Sequence, residues 1–164
     1  MRLLYGLVLS IALAGTPHAD ECSLDNARYK QSDVAWWLTF VRVPQFAAPN
    51  QTAAFYIELP NSDVKLEGEV HVPNGFGAPL WSLDGPCRAG SIERCRFLEE
   101  NQNPAIYGVY DGVVRFLEGG RGAKAPDQII LPQLSESLWY SRYRETEWAD
   151  DLSPGDAFLL DGCD

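Results

Sequence analysis

The chain has 164 residues, 46% of them apolar, and carries 13 Lys+Arg against 23 Asp+Glu. That apolar content excludes a disordered polymer, and the length suits a single domain with its own core. The excess of acid repels phosphate backbones and anionic surfaces, which argues against a nucleic-acid partner.

The chain opens with Arg2 and then an uncharged, largely apolar run, Leu3 to Ala14, followed by Gly15-Thr16-Pro17. The run is too short for a membrane-spanning helix, which needs about 20 apolar residues, and it fits the hydrophobic region of a signal peptide. Cleavage after Ala19 is favoured because charge begins at once with Asp20-Glu21, and Ala12-Leu13-Ala14 offers a second site. No small-apolar box precedes Cys22, so a lipid anchor is not expected. The reading is a signal peptide over residues 1–19 and one disulfide-stabilised, β-rich domain over residues 20–164. Such a chain is exported, to the periplasm of a Gram-negative cell or to the medium, with no membrane insertion after cleavage. Residues 20–164 retain 12 Lys+Arg and all 23 Asp+Glu, a formal net charge of −11.

Cys22, Cys87, Cys95 and Cys163 are an even set in an exported chain, which reads as two disulfides. Of the three connectivities, Cys87–Cys95 closing a short loop and Cys22–Cys163 joining the chain ends is the expectation. Zinc is disfavoured: no C-x-x-C pair exists, and His71, the only histidine after cleavage, is distant from every cysteine.

Val34 to Val43 is apolar on both faces and reads as a central strand ended by Pro44, with Trp36 and Trp37 on opposite faces. Phe55, Ile57 and Leu59 alternate with polar positions, and so do Val64, Leu66, Gly68, Val70 and Val72. Pro60-Asn61-Ser62-Asp63 between them makes a turn, hence a hairpin. Segments 80–83, 96–98, 128–131 and 157–160 are shorter strand candidates. Asp111-Gly112 between 106–110 and 113–117 specifies a two-residue hairpin loop. It sets residue 110 opposite 113 and 107 opposite 116, with Tyr107, Val109, Val114 and Phe116 on one apolar face. Leu138, Arg142, Glu145 and Ala149 follow helical spacing, which predicts one helix over 134–152. The fold expected is mainly β: a single-domain β-sandwich or small open β-barrel of about seven to nine short strands, with one late helix.

Chemistry is thinly supplied. His71 stands on the polar face of its strand among Lys65, Glu67 and Glu69, and no G-x-S-x-G elbow accompanies it. Glu99-Glu100 and Asp150-Asp151 are adjacent acids, which rarely face one target across a cleft. The spacing of Asp156, Asp161 and Asp164 does not match a calcium loop. The glycines of 75–77 and 119–122 read as turns rather than phosphate cradles. No catalytic residue, metal ligand or cofactor is therefore expected. The candidate binding residues are aromatic: Trp36, Trp139, Tyr140, Tyr143 and Trp148. The expected function is an exported, non-enzymatic binding or interaction domain whose acidic surface engages a cationic protein or a glycan of the cell envelope. An inhibitor of a cationic hydrolase is one concrete form. The alternatives are a carboxylate-dependent hydrolase of an envelope polysaccharide and an accessory structural protein of the envelope.

Overall fold

A computed structural model describes residues 22–100 and 104–163, and the expected signal peptide at 1–19 lies outside them. The described residues form ten strands: β1 (Ala27–Lys30), β2 (Trp37–Val41), β3 (Gln51–Glu58), β4 (Lys65–His71), β5 (Leu80–Pro86), β6 (Arg94–Leu98), β7 (Tyr107–Tyr110), β8 (Val113–Phe116), β9 (Gln128–Ile130) and β10 (Ala157–Cys163). They form one antiparallel sheet in the order β6-β5-β4-β3-β2-β1-β10-β9-β7-β8. A sandwich of two sheets is thus replaced by a single sheet curled into an open half-barrel. The curl brings its far parts together: the Ile106 amide, just before β7, donates to the Pro79 carbonyl, just before β5. The Trp81 indole likewise donates to the Pro104 carbonyl at 2.8 Å.

The two-residue periodicity of the strands decides what lies inside. Leu66, Gly68 and Val70 of β4 are buried while Lys65 and Glu67 point to water. Phe55 and Ile57 of β3 join them, as do Trp81 and Leu83 of β5 and Ile106, Ile129 and Phe158 from the other half of the sheet, in one continuous core. The outer face of β3–β6 carries opposite charges across the strands: Lys65 with Glu58 and Arg96 with Asp84 on neighbouring strands, and Arg94 of β6 reaching over β5 to Glu67 of β4. Such cross-strand pairs match the solvated side of a one-faced antiparallel sheet.

The β3–β4 hairpin forms as expected, Glu58 opposite Lys65. The β7–β8 hairpin has the register set by Asp111-Gly112: Tyr110 pairs with Val113 and Tyr107 with Phe116. Both turn residues have positive φ, +52° and +79°, as a type I′ turn requires. The face shared by Tyr107, Val109, Val114 and Phe116 is not core, however; β8 is the sheet's outer edge and all four of its residues are exposed. The tenth strand, beyond the count expected, is β1. Its four residues alternate Ala27 and Tyr29 inward with Arg28 and Lys30 outward, too short a run to stand out from sequence.

The single late helix is also revised. An α-helix, α1, covers only Leu134–Trp139, and a separate 3-10 turn covers Arg142–Glu145. Ser141 between them is extended; its hydroxyl accepts from the Tyr143 amide and donates to the Leu138 carbonyl. That is the competition of a serine side chain with the helical ladder. Helix α1 begins where the Asp156 carboxylate accepts from the Gln133 and Leu134 amides, at 3.0 and 3.1 Å.

Both disulfides join the expected partners, Cys22–Cys163 and Cys87–Cys95, with Cα separations of 5.9 and 5.0 Å. Disulfides persist in oxidising surroundings, and the two bridges point to such an environment. Among the described residues, no helix is long and apolar enough to cross a membrane.

Candidate functional site

Neighbouring strands alternate in direction, so the β1–β2, β3–β4 and β5–β6 turns fall at one end of the half-barrel. The long connection between β9 and β10, residues 131–156, folds over that end as a cap. It is tied to each of the three turns. Gln31 makes a two-way amide bond with Gly155, at 2.6 and 2.9 Å, and the Trp36 indole donates to the Leu152 carbonyl at 2.9 Å. Asp150 accepts from the Asn61 amide and side chain, at 2.9 and 3.3 Å, and Glu147 accepts from the Ala89 amide at 3.1 Å.

Apolar packing anchors the cap from beneath. Phe97 of β6, Tyr143 and Trp148 form an edge-to-face trio with ring centroids 5.6 to 6.2 Å apart. Leu134 and Leu138, one helical turn apart, fill the adjoining space. The Tyr143 hydroxyl accepts from the Asp150 amide at 2.9 Å. Burial pushes the Tyr143 phenol up to about 12, with the Asp150 charge adding to the shift and that amide bond opposing it.

The five candidate aromatics therefore divide. Trp36, Tyr143 and Trp148 are buried in the framework that holds the cap. Trp36 precedes β2 instead of lying within it, beneath the cap, while Trp37 is half-buried under the Arg28 guanidinium, 3.9 Å from its ring centre. Trp139 and Tyr140 are on the surface, 57% and 86% exposed. Arg144 stacks over Trp139 at 4.8 Å, a pairing that one continuous helix would not give and that the break at Ser141 allows.

Two clefts open at this end and share a wall at Asp150 and Asp151. The smaller, about 150 Å³, is walled by Trp139 and Arg144 on its other side. The larger, about 400 Å³, lies between the β3–β4 turn, with Asp63, and the cap, with Glu147. Four acids from distant parts of the chain thus meet at one end. Two of them are committed: Asp150 holds the β3–β4 turn and its own loop through the Leu152 amide at 2.8 Å, and Glu147 holds the β5–β6 turn. Asp63 and Asp151 make no hydrogen bond or ion pair among the described residues and face solvent. From sequence, the 60–63 segment reads only as a turn; nothing in its spacing places it against residues 147–151, 84 and more positions later.

The remaining chemistry-bearing residues have structural surroundings. His71 pairs with Glu69 at 3.3 Å and lies in the ladder between Gln51 and Leu80, with no serine or cysteine nucleophile beside it. Glu99 lies 3.8 Å from Arg96, Asp156 begins α1, and Asp161 pairs with Lys30 at 2.5 Å. Among the described residues, no group of three His, Cys, Asp or Glu side chains converges as a metal site would require. No family model matches the chain, and no curated protein or solved structure shows significant similarity to it.

Proposed function

We propose that the protein is an exported, non-enzymatic binding domain that engages a cationic protein of the cell envelope through its cap. The observation that carries this reading is an exposed Trp139, with exposed Tyr140 next to it in the chain, on a small cleft whose Asp150–Asp151 wall is shared by a second cleft lined by Asp63 and Glu147. Flat aromatic rings beside carboxylates suit the apolar stems and charged tips of lysine and arginine side chains. The cap is fastened to three hairpin turns, so the surface is organised before a partner arrives, which lowers the ordering cost of binding. Export is supported by the apolar N-terminal run and by the two disulfides.

The test uses residues 20–164 with both bridges formed, presented to two basic probes, egg-white lysozyme and cytochrome c, over a salt series. Retention should fall with salt, and the charge-neutral double variant W139A/Y140A should weaken it by roughly tenfold or more, the usual effect of removing an exposed aromatic anchor. Equal retention by that variant reduces the association to bulk charge and sinks the proposal, as does the absence of any basic partner at low salt.

The larger acidic cleft favours one second reading, a carboxylate-dependent hydrolase of an envelope polysaccharide. It would rest on Asp63 and Asp151, the two acids the cap does not use. Loss of polysaccharide cleavage in both D63N and D151N would establish it, and a wild-type chain with no such activity would dismiss it.

A further inference from the structure

The end of the half-barrel opposite the cap has another character. No charged residue occurs from Val43 to Ile57 or from Val72 to Leu83, although 22% of the chain is charged. Each uncharged stretch begins in a loop of the same pattern, Val43-Pro44-Gln45-Phe46-Ala47-Ala48-Pro49 and Val72-Pro73-Asn74-Gly75-Phe76-Gly77-Ala78-Pro79. The first links β2 to β3 and the second links β4 to β5, so both emerge at this end. They are neighbours, since the Val72 amide donates to the Asn50 carbonyl at 2.9 Å. Each holds its phenylalanine out in solvent, Phe46 at 95% and Phe76 at 76% exposure.

A third loop, 119–122, is seated against them. A Cβ at Gly119 would lie 2.7 Å from the Thr52 carbonyl oxygen, so only glycine permits this approach. The Gly120 amide then donates to that same carbonyl at 2.7 Å. The seating places Arg121 on the wall of a cleft of about 530 Å³ that Arg42 also lines, over a floor of Leu24, Phe40 and Ala53. Arg121 is exposed and has no ion pair among the described residues. Arg42 touches only Asp25, loosely at 3.7 Å, with its side chain 83% exposed. Two solvent-directed phenyl rings on uncharged loops, flanked by the unpaired Arg121 guanidinium and by Arg42 in loose contact with Asp25 on the same cleft, are therefore gathered on one end of an acidic protein.

We propose that this end docks on an anionic lipid bilayer, with Phe46 and Phe76 entering the headgroup–acyl boundary and Arg42 and Arg121 facing the headgroup phosphates. Exposed apolar groups with a basic border are the pattern of interfacial association, and guanidinium groups pair with phosphate in a bidentate way. The net charge of the whole molecule does not forbid it. The acids of the cap stand a strand length away, about 25 Å for the eight residues of β3. Charge is screened over about 8 Å at physiological ionic strength. Among the described residues, the nearer acids have partners: Asp25 with Arg42, Asp111 with Lys124, Glu118 with Arg115, and Asp127 accepting from the Asp111 amide.

Sedimentation of residues 20–164 with phosphatidylcholine vesicles, and with vesicles containing one quarter phosphatidylglycerol, tests the proposal. The anionic vesicles should retain the protein. F46S/F76S should lower the partition coefficient by roughly tenfold or more, and R42Q/R121Q should lower it by about tenfold on the anionic vesicles while changing little on the neutral ones. W139A/Y140A should leave vesicle binding unchanged, which separates this surface from the cap. Unchanged Tm values confirm that these surface substitutions leave the fold intact, and the single variants F46S and F76S should each give part of the loss. The proposal is overturned by no retention on either vesicle, or by retention indifferent to the two phenylalanines. Equal affinity for a soluble short-chain phosphatidylglycerol overturns it in favour of a ligand in the cleft. A vesicle-free dimer that F46S/F76S dissociates, without vesicle binding, overturns it in favour of a second copy of the chain.

Discussion

Tyr143 shows how one side chain both builds the cap and makes it sensitive to alkali. Its ring packs between Phe97 and Trp148 and its hydroxyl receives the Asp150 amide. Burial raises its phenol from an ordinary value near 10 to about 12. A group whose folded pKa is raised contributes stability that is complete below its unfolded pKa and is lost as pH climbs through the folded one. The window for Tyr143 is therefore pH 10 to 12, where the unfolded chain releases a proton that the folded chain retains. Urea midpoints measured from pH 9 to 12 should fall across this window, and Y143F should fall less steeply over the same range. Parallel curves for the two proteins would show that Tyr143 contributes nothing to alkaline unfolding. The aromatics also mark a limit of sequence at this scale. Periodicity identifies a ring on an apolar face, but whether that face is covered depends on contacts across the chain. Trp36 and Trp139 looked equivalent as candidates; the cap buries the first through the Leu152 carbonyl and leaves the second exposed.

At the scale of elements, local chemistry was the legible part. The β7–β8 register follows from the Asp-Gly turn alone, and the β3–β4 hairpin follows from alternation on either side of Pro60-Asn61-Ser62-Asp63. Where two local preferences compete, the sequence is ambiguous. Helical spacing continues past Ser141, but the Ser141 hydroxyl captures the Tyr143 amide and ends the helix. Contacts between elements were illegible for a different reason: neither the acidic cleft nor the pair of Phe-tipped loops exists until residues 20 to 90 positions apart are placed side by side. The fastening of the cap is such a contact, and Gln31 is its tightest polar link. Q31A removes both bonds to the Gly155 amide and carbonyl together with the buried side chain that makes them. A cost of about 1–3 kcal/mol is expected, with faster amide exchange concentrated in 131–156 and 31–36 while β3 and β4 keep their protection. Exchange that speeds uniformly over the sheet would mean that the cap and the sheet open together.

Over the whole molecule the first and last strands meet in the middle of the sheet. Six strands, β1 to β6, form one consecutive meander, and β7 to β10 form the other part. The sheet pairing that joins them is β1 to β10. Cys22–Cys163 lies at this seam, with Ala27 of β1 directly opposite Cys163 of β10. It closes a sequence separation of 141 residues, whereas Cys87–Cys95 closes 8 within one hairpin. Loop-closure entropy gives upper bounds of about 5 and about 2.5 kcal/mol for the two bridges. Against a total stability of roughly 5–15 kcal/mol, the first is a large share and the second a tolerable one. C22S/C163S should thus fold but unfold at a much lower urea concentration than C87S/C95S, and its amide exchange should accelerate first in β1 and β10. The seam still has its strand ladder, and the Leu24 amide still donates to the Ala123 carbonyl at 2.7 Å, so the native topology should survive without the bridge. Refolding should slow in the same variant, because β1 and β10 must find each other across nearly the whole chain before their pairing stabilises anything. A larger loss from C87S/C95S, or refolding rates indifferent to Cys22–Cys163, would mean that the two halves of the sheet are held by their shared core and not by the bridge at the β1–β10 seam.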